Sequence, residues 1–109
     1  MATPLSLLQG TLDLLVLRTL AAGSNHGYGI ATLVREMTKG ELAIEDAALY
    51  QALHRLDRQG LVDADWRTSE NNRRARYYEL TSEGRRRLRE ETASWRRYSR
   101  AVDAVLKGI

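Results

Sequence analysis

The spacing of apolar residues near the start of the chain predicts two amphipathic helices joined by a tight turn. In the first helix, apolar side chains recur at helical spacing over residues 12–20, with Thr11 as the N-cap and Gly23 as the stop. The second helix covers residues 30–37 and ends near Gly40. Each pattern presents one apolar face, so both helices are expected to contribute to a core.

A third amphipathic helix is predicted from Asp46, its N-cap, to Gln59, just before Gly60. Its apolar stripe consists of Leu49, Ala52, Leu53 and Leu56. The opposite face is polar and carries little charge at its start; it consists of Ala47, Gln51, His54 and Arg58, with Tyr50 and Arg55 on its flanks. Such a face is typical of a helix that reads DNA, because amides and hydroxyls pair with base edges.

Beyond Leu61 the period changes to two, which predicts a two-stranded hairpin. Apolar and charged residues alternate over residues 62–67, and alternation resumes over residues 77–80. The polar tip covers residues 69–74, where Asn71 or Asn72 tolerates the left-handed conformation of a turn.

The last segment predicts one long helix, from a cap at Thr81 or Ser82 to about Lys107. One stripe repeats at alternating spacings of four and three, as in a coiled coil, and consists of Leu88, Thr92, Trp95, Ser99, Val102 and Leu106. Arginines fill most other positions, so the helix needs a single partner surface. We expect this stripe to pair two copies of the chain.

Composition limits the classes of protein that the chain can represent. With 109 residues, 43% of them hydrophobic, it can bury one core and has no room for a separate catalytic domain. Cysteine is absent, and no apolar stretch approaches the roughly 20 residues of a membrane span, which fits a cytoplasmic protein. We expect a mainly α fold with a small β-hairpin.

The net charge of +3 is unevenly distributed along the chain. Residues 67–76 contain four arginines and a single acidic residue, Glu70. A guanidinium can form two parallel hydrogen bonds to one anion, so this cluster is predicted to contact phosphates.

The two histidines, His26 and His54, belong to no zinc-binding motif, and no nucleophile is paired with a base and an orienting group. The sequence therefore predicts no enzyme, no metal and no other cofactor. We interpret His26 as a turn residue. His54 is either a donor in a DNA groove or a solvated surface histidine.

Three helices followed by a basic hairpin predict a winged helix-turn-helix domain over residues 1–80 and a dimerisation helix over residues 81–109. The predicted DNA-binding residues are Tyr50, Gln51, His54, Arg55 and Arg58 on the third helix, and Asn71, Asn72, Arg73, Arg74 and Arg76 in the hairpin, or wing. Tyr28 and Tyr77 are predicted to contact the DNA backbone, although core packing would explain Tyr28 equally well.

Several short motifs occur in a fixed order: Gly10-Thr11-Leu12, His26-Gly27-Tyr28-Gly29-Ile30, Leu49-Tyr50, Ala52-Leu53, Arg55-Leu56, Gly60-Leu61, the wing from Arg73 to Thr81, and Gly84. In this order they resemble the PadR-type transcriptional regulators, particularly short members with one C-terminal helix. The resemblance covers nearly the whole chain. It implies a homodimer that binds a pseudo-palindromic double-stranded operator and represses genes, in some members until a small aromatic or drug-like effector binds.

Two positions depart from the pattern of that family. Ala48 replaces the usual hydroxyl residue before Leu49-Tyr50, and Gln51 replaces the usual proline after it. Gln51 can pair with adenine through two hydrogen bonds, so the operator sequence cannot be carried over from relatives. The departures also leave open a protein–protein adaptor that binds an acidic partner through the arginine-rich last helix.

Trp95 lies in the middle of the stripe, with Tyr98 close to it. Some relatives bind planar drugs between tryptophans of two subunits, which makes Trp95 and Tyr98 candidate effector-binding residues by resemblance. Packing of Trp95 in a dimer interface is the simpler explanation of its position.

Overall fold

The computed structural model describes Leu5, Leu7 and residues 10–109. In chain order its elements are α1 (Thr11–Ala21), β1 (Asn25–His26), α2 (Gly27–Met37), α3 (Asp46–Arg58), β2 (Val62–Thr68), β3 (Arg74–Leu80) and α4 (Ser82–Gly108). The predicted fold class, mainly α with a small β element and a long C-terminal helix, is confirmed.

Two predicted helix caps are wrong by one residue. Gly10, with a left-handed φ of 88°, precedes α1, so Thr11 is its first helical residue. Glu45 precedes α3 in extended conformation, and Asp46 lies in its first turn. In α3 a carboxylate is favourable both at the cap and in the first turn, because the N-terminal end of a helix carries partial positive charge. The sequence therefore could not distinguish Glu45 from Asp46 as the cap.

The second helix ends earlier than predicted, at Met37 instead of near Gly40. The Thr38 hydroxyl donates to the carbonyl of Val34 at 2.9 Å and accepts the N–H of Leu42 at 3.0 Å. The Thr38 side chain thus pairs with a carbonyl of the last helical turn and with an N–H beyond the helix, and the backbone leaves the helical path.

The sheet has three antiparallel strands in the order β1-β3-β2, so the predicted two-stranded hairpin is incomplete. β1 pairs Asn25 with Tyr78 and His26 with Tyr77. A strand of two residues has no alternation to detect. The interpretation of His26 as a turn residue was wrong, because His26 belongs to β1 and pairs with Tyr77.

The wing is the extension of β2 and β3 beyond the core. The register runs from Val62 opposite Leu80 to Thr68 opposite Arg74. Side chains on one face of a strand recur every second residue, so the face that is buried at Val62 continues outward through Trp66. In the turn, Asn72 adopts a φ of 59°, in agreement with the predicted left-handed residue.

The core lies between the first three helices and the base of the sheet. Its largest fully buried side chains are Val16, Leu17, Leu20, Ile30, Leu49, Leu53, Leu56 and Val62. Every stripe predicted from helical spacing contributes to it. The stripe of α3 thus fixes which face of that helix remains exposed.

The junction between β3 and α4 is held by Thr81. Its hydroxyl donates to the Gly60 carbonyl at 2.8 Å and accepts the N–H of Gly84 at 3.0 Å, which caps α4. A Cβ on Gly84 would overlap the carbonyl oxygen of Leu61. Leu88, one turn later, packs against the core. The first turns of α4 therefore pack on the body of the protein.

Candidate nucleic-acid interface

The outer face of α3 is exposed where the helical wheel predicts it. Tyr50, Gln51, His54 and Arg58 are all exposed. On the opposite side, Leu49, Ala52, Leu53 and Leu56 are each at most 1% exposed. Burial of this stripe holds the helix in a fixed rotation, so the polar face is presented to solvent without any rearrangement.

Arg55 lies on the flank of α3 that faces α1. Its Nη2 is 2.6 Å from Oδ1 of Asp13, and its Nε is 3.4 Å from Oδ2 of the same carboxylate. The hydrogen bond to Asp13 and the charge of that group raise the pKa of Arg55. The pair ties α3 to α1. A DNA contact by Arg55 stays a prediction.

The arginines of the wing differ in their surroundings. Arg67 lies on the outer face of the sheet, 3.0 Å from Asp65, and donates to the Ser24 hydroxyl at 3.0 Å. Arg76 lies on the inner face, where its Nη2 is 3.6 Å from Oδ2 of Asp57 in α3. Among the residues that the structure describes, no carboxylate oxygen lies within 4.0 Å of Arg73 or Arg74. Asn71, Asn72, Arg73 and Arg74 are exposed at the tip.

His26 connects the start of α2 to the wing. Its Nδ1 accepts the N–H of Gly29 at 3.0 Å and so caps the helix. Its ring meets Tyr77 edge to face at 5.1 Å, and its Nε2 lies 3.9 Å from Glu70 near the tip of the wing. The ring of Tyr77 thus packs between His26 and Arg67. A contact of Tyr77 with the DNA backbone stays a prediction.

Tyr28, in the first turn of α2, is 73% exposed, which argues against the core-packing alternative. Close to it, the ring of Tyr50 crosses Gly27, where an added Cβ would lie 3.1 Å from the tyrosine oxygen. Glycine at this position lets α3 approach the start of α2. Tyr28 of α2 and Tyr50 of α3 line the same cleft.

An open cleft of about 350 Å³ separates this tyrosine pair from the wing. Its lining residues are His26, Gly27, Tyr28, Tyr50, Trp66, Arg74, Ala75, Arg76 and Tyr78. Burial raises the pKa of Tyr78 at its base, an effect that the charge of Arg76 partly offsets. Trp66 was not among the DNA-binding residues predicted from the sequence. Its position opposite Arg76 follows only from the strand register.

The predicted interface stripe of α4 divides into two halves. Leu88 packs against the core of its own chain, and Thr92 is half-buried. Trp95 and Tyr98 line an open cavity of about 460 Å³ beside Gly10, Thr11 and Leu14, with their rings 6.2 Å apart. Further along, Val102 and Leu106 are exposed, and Ser99 is half-buried with its hydroxyl directed to the Arg96 carbonyl. Assignment of the stripe to a dimer interface stays a prediction.

In the part of the chain that the structure describes, no three histidine, cysteine or acidic side chains come together as a metal site would require. None of its helices combines the length and apolar character needed to cross a membrane.

Three helices and a sheet whose long hairpin extends beside α3 define a winged helix-turn-helix protein. Residues 16–90 match the transcriptional regulator PadR-like family, and the chain belongs to that family. Members of this family are transcriptional regulators, a class that acts by binding DNA and is generally not enzymatic.

Solved structures agree with this assignment. A transcriptional regulator from Clostridium thermocellum superposes with a TM-score of 0.83 at 26% identity, over 91% of this chain and 93% of that chain. A PadR family regulator from Clostridium difficile superposes with a TM-score of 0.77 at 29% identity, over 89% of this chain and 99% of that chain. A PadR family regulator from Eggerthella lenta superposes with a TM-score of 0.77 at 32% identity, over 91% of this chain and 84% of that chain.

Proposed function

We propose that the chain is a homodimeric, sequence-specific repressor that reads a pseudo-palindromic operator with α3 and holds the DNA backbone with the wing. The observation that carries the proposal is the exposed polar face of α3 together with Arg73 and Arg74 of the wing, which have no carboxylate within 4.0 Å among the described residues. In a winged helix the third helix enters the major groove, so base recognition and backbone contact fall to different elements.

Base recognition is assigned to Gln51, with Tyr50 and His54 beside it. The Gln51 amide can donate and accept at the edge of an adenine, which gives about 1–3 kcal/mol of discrimination against other bases. All three side chains lie on the exposed face, and the buried stripe of α3 keeps that face rigid.

Backbone contact is assigned to Arg73 and Arg74, with Asn71 and Asn72 at the tip and Tyr28 at the start of α2. Arginine without a carboxylate neighbour keeps all its N–H groups for phosphate oxygens. These contacts are independent of sequence, so they add affinity without specificity.

The separate roles of Gln51 in base recognition and Arg74 in backbone contact are tested with Gln51→Ala and Arg74→Ala. The affinity of each variant is measured for a library of duplexes of randomised sequence. Gln51→Ala should relax the preference at one base position in each half-site. Arg74→Ala should weaken binding to all sequences and lower the slope of log affinity against log salt by about one. Arg97→Ala on α4 removes the same charge at a distance from the wing and serves as the control.

Equal loss on every sequence in both variants would contradict the assignment of roles. Failure of the unaltered protein to retain any duplex at low salt would contradict DNA binding itself. If that failure came with a stable complex with an acidic protein, the adaptor function would replace the repressor.

An effector site is proposed at Trp95 and Tyr98, because these two rings line an open cavity together with Leu14 of α1. The Trp66→Phe variant leaves Trp95 as the sole tryptophan of the chain. Planar aromatic compounds should quench its emission and release bound DNA at matching concentrations. Quenching without release would assign Trp95 a ligand but no regulatory role.

A further inference from the structure

Trp66 is a large aromatic side chain in the otherwise polar outer part of the wing. Trp66 is 54% exposed, whereas Val62, at the base of the same strand face, is 1% exposed. The two charged neighbours of Trp66 on this face are Arg76, directly across the hairpin, and Arg74, one diagonal step further out. Such cross-strand neighbours are close enough to interact.

Both arginines lie over the indole. The Cζ atom of Arg74 is 5.6 Å from the ring centroid and that of Arg76 is 5.9 Å from it. A guanidinium held over a ring by cation–π attraction keeps its N–H donors available around its edge. Trp66 therefore limits the positions of two long side chains. Arg74 has no carboxylate within 4.0 Å among the described residues, whereas Nη2 of Arg76 lies 3.6 Å from Oδ2 of Asp57.

The chemistry of the cleft indicates which ligand would use those donors. Its described lining residues include two arginines, three tyrosines and a histidine, but no carboxylate and no side-chain amide. Phosphate oxygens carry negative charge and only accept hydrogen bonds, which suits a surface whose charged groups are two guanidinium donors. Tyr50 of α3 also lines the cleft, so a DNA strand bound at the polar face of α3 would pass along it.

We propose that Trp66 is a DNA-contacting and positioning residue: it holds Arg74 and Arg76 as a clamp on one phosphate of duplex DNA, and its exposed ring packs on the adjoining deoxyribose. This inference rests on the proposed DNA-binding function and adds to it a residue and a ligand group. Arg76 also keeps its contact with Asp57, which anchors the clamp to the C-terminal end of α3.

The test uses an arbitrary duplex of about 30 base pairs at low salt, because a phosphate clamp works on any sequence. Trp66→Leu keeps apolar bulk but removes the ring, and should weaken binding about tenfold and lower the salt slope by about one. Trp66→Phe keeps a ring and should restore affinity to within about threefold of the unaltered protein. Thermal unfolding followed by circular dichroism verifies that both variants fold.

A second measurement detects the contact directly. In Trp95→Phe, Trp66 is the sole tryptophan. Addition of duplex should change its emission and shield it from acrylamide, with the same midpoint as binding measured by anisotropy of a labelled duplex. Size-exclusion chromatography verifies that this variant keeps the oligomeric state of the unaltered protein.

Several outcomes would overturn the inference. If Trp66→Leu bound duplex with unchanged affinity and salt slope while Arg74→Ala bound weakly, the clamp would be refuted and the proposed function would stand. Unchanged Trp66 emission at saturating duplex would refute the sugar contact. Tighter, Trp66-dependent binding of a single-stranded oligonucleotide would assign the cleft to unstacked bases instead. Absence of any binding by the unaltered protein would remove the proposed function first.

Discussion

Helices α3 and α4 carry similar amphipathic patterns but differ in what covers their apolar stripes. The stripe of α3 is buried along its whole length by α1, α2 and the sheet, so this helix is completed by its own chain. In α4 the stripe begins in the same core at Leu88, yet Val102 and Leu106 at its far end are 40% and 72% exposed.

The difference shows that helical spacing of apolar residues predicts a helix equally well whether its stripe is covered by the same chain, as in α3, or remains partly exposed, as in α4. Where the chain itself covers the stripe, the helix is rigid and its opposite face can recognise a ligand. Where the stripe continues beyond the body of the protein, the same pattern leaves apolar area in water, and association with a second copy would remove it.

The largest effect is expected for Leu53→Ala in the buried stripe of α3. Leu53 is fully buried, so the lost contacts and the remaining cavity should lower the free energy of unfolding by about 2–5 kcal/mol. Urea unfolding measures this loss, which should not depend on protein concentration. Leu106→Ala removes the same atoms from the exposed stripe, and any loss it causes should vary with concentration. Identical, concentration-independent losses would erase the contrast between the helices.

An intermediate effect is expected for Val102→Asp in the far half of α4. A charge in the proposed interface should raise the dissociation constant of the dimer about 10- to 100-fold. Ala104→Asp places the same charge on the opposite side of the same exposed segment and should leave association unchanged. Sedimentation velocity over a concentration series distinguishes the two. A Val102→Asp protein that sediments like the unaltered one would show that this stripe does not join two copies.

The smallest effect is expected for Arg55→Ala on the flank of α3. Both partners of the Arg55–Asp13 pair are about a third or more exposed, so solvent screening limits the loss to about 0.5–1 kcal/mol. Urea unfolding of Arg55→Ala, Asp13→Ala and the double variant isolates the pair energy. Strictly additive losses would mean that the contact contributes nothing to holding α3 against α1.

The sequence predicted those features that depend on residues close together in the chain. Helical spacing identified the stripes of α1, α2 and α3, and alternation identified β2 and β3. The tip residue Asn72 followed from turn chemistry. In each case the signal lies within one element.

Features that depend on distant residues escaped prediction. Asp13 and Arg55 are 42 positions apart, and no local pattern relates them. β1 has two residues and exists because β3 offers it a free edge. The place of Trp66 in the cleft required the strand register as well as the approach of α2 and α3, which the sequence does not encode in any one segment.

The hydrogen bonds of Thr81 have a geometric consequence at the other end of α4. A helix of this length extends about 40 Å, so a tilt of about 10° at its base would move its far end by about 7 Å. That distance is a substantial part of the roughly 34 Å between successive half-sites on DNA. In the proposed dimer, the Thr81 junction would therefore contribute to the spacing at which the two copies of α3 meet their operator.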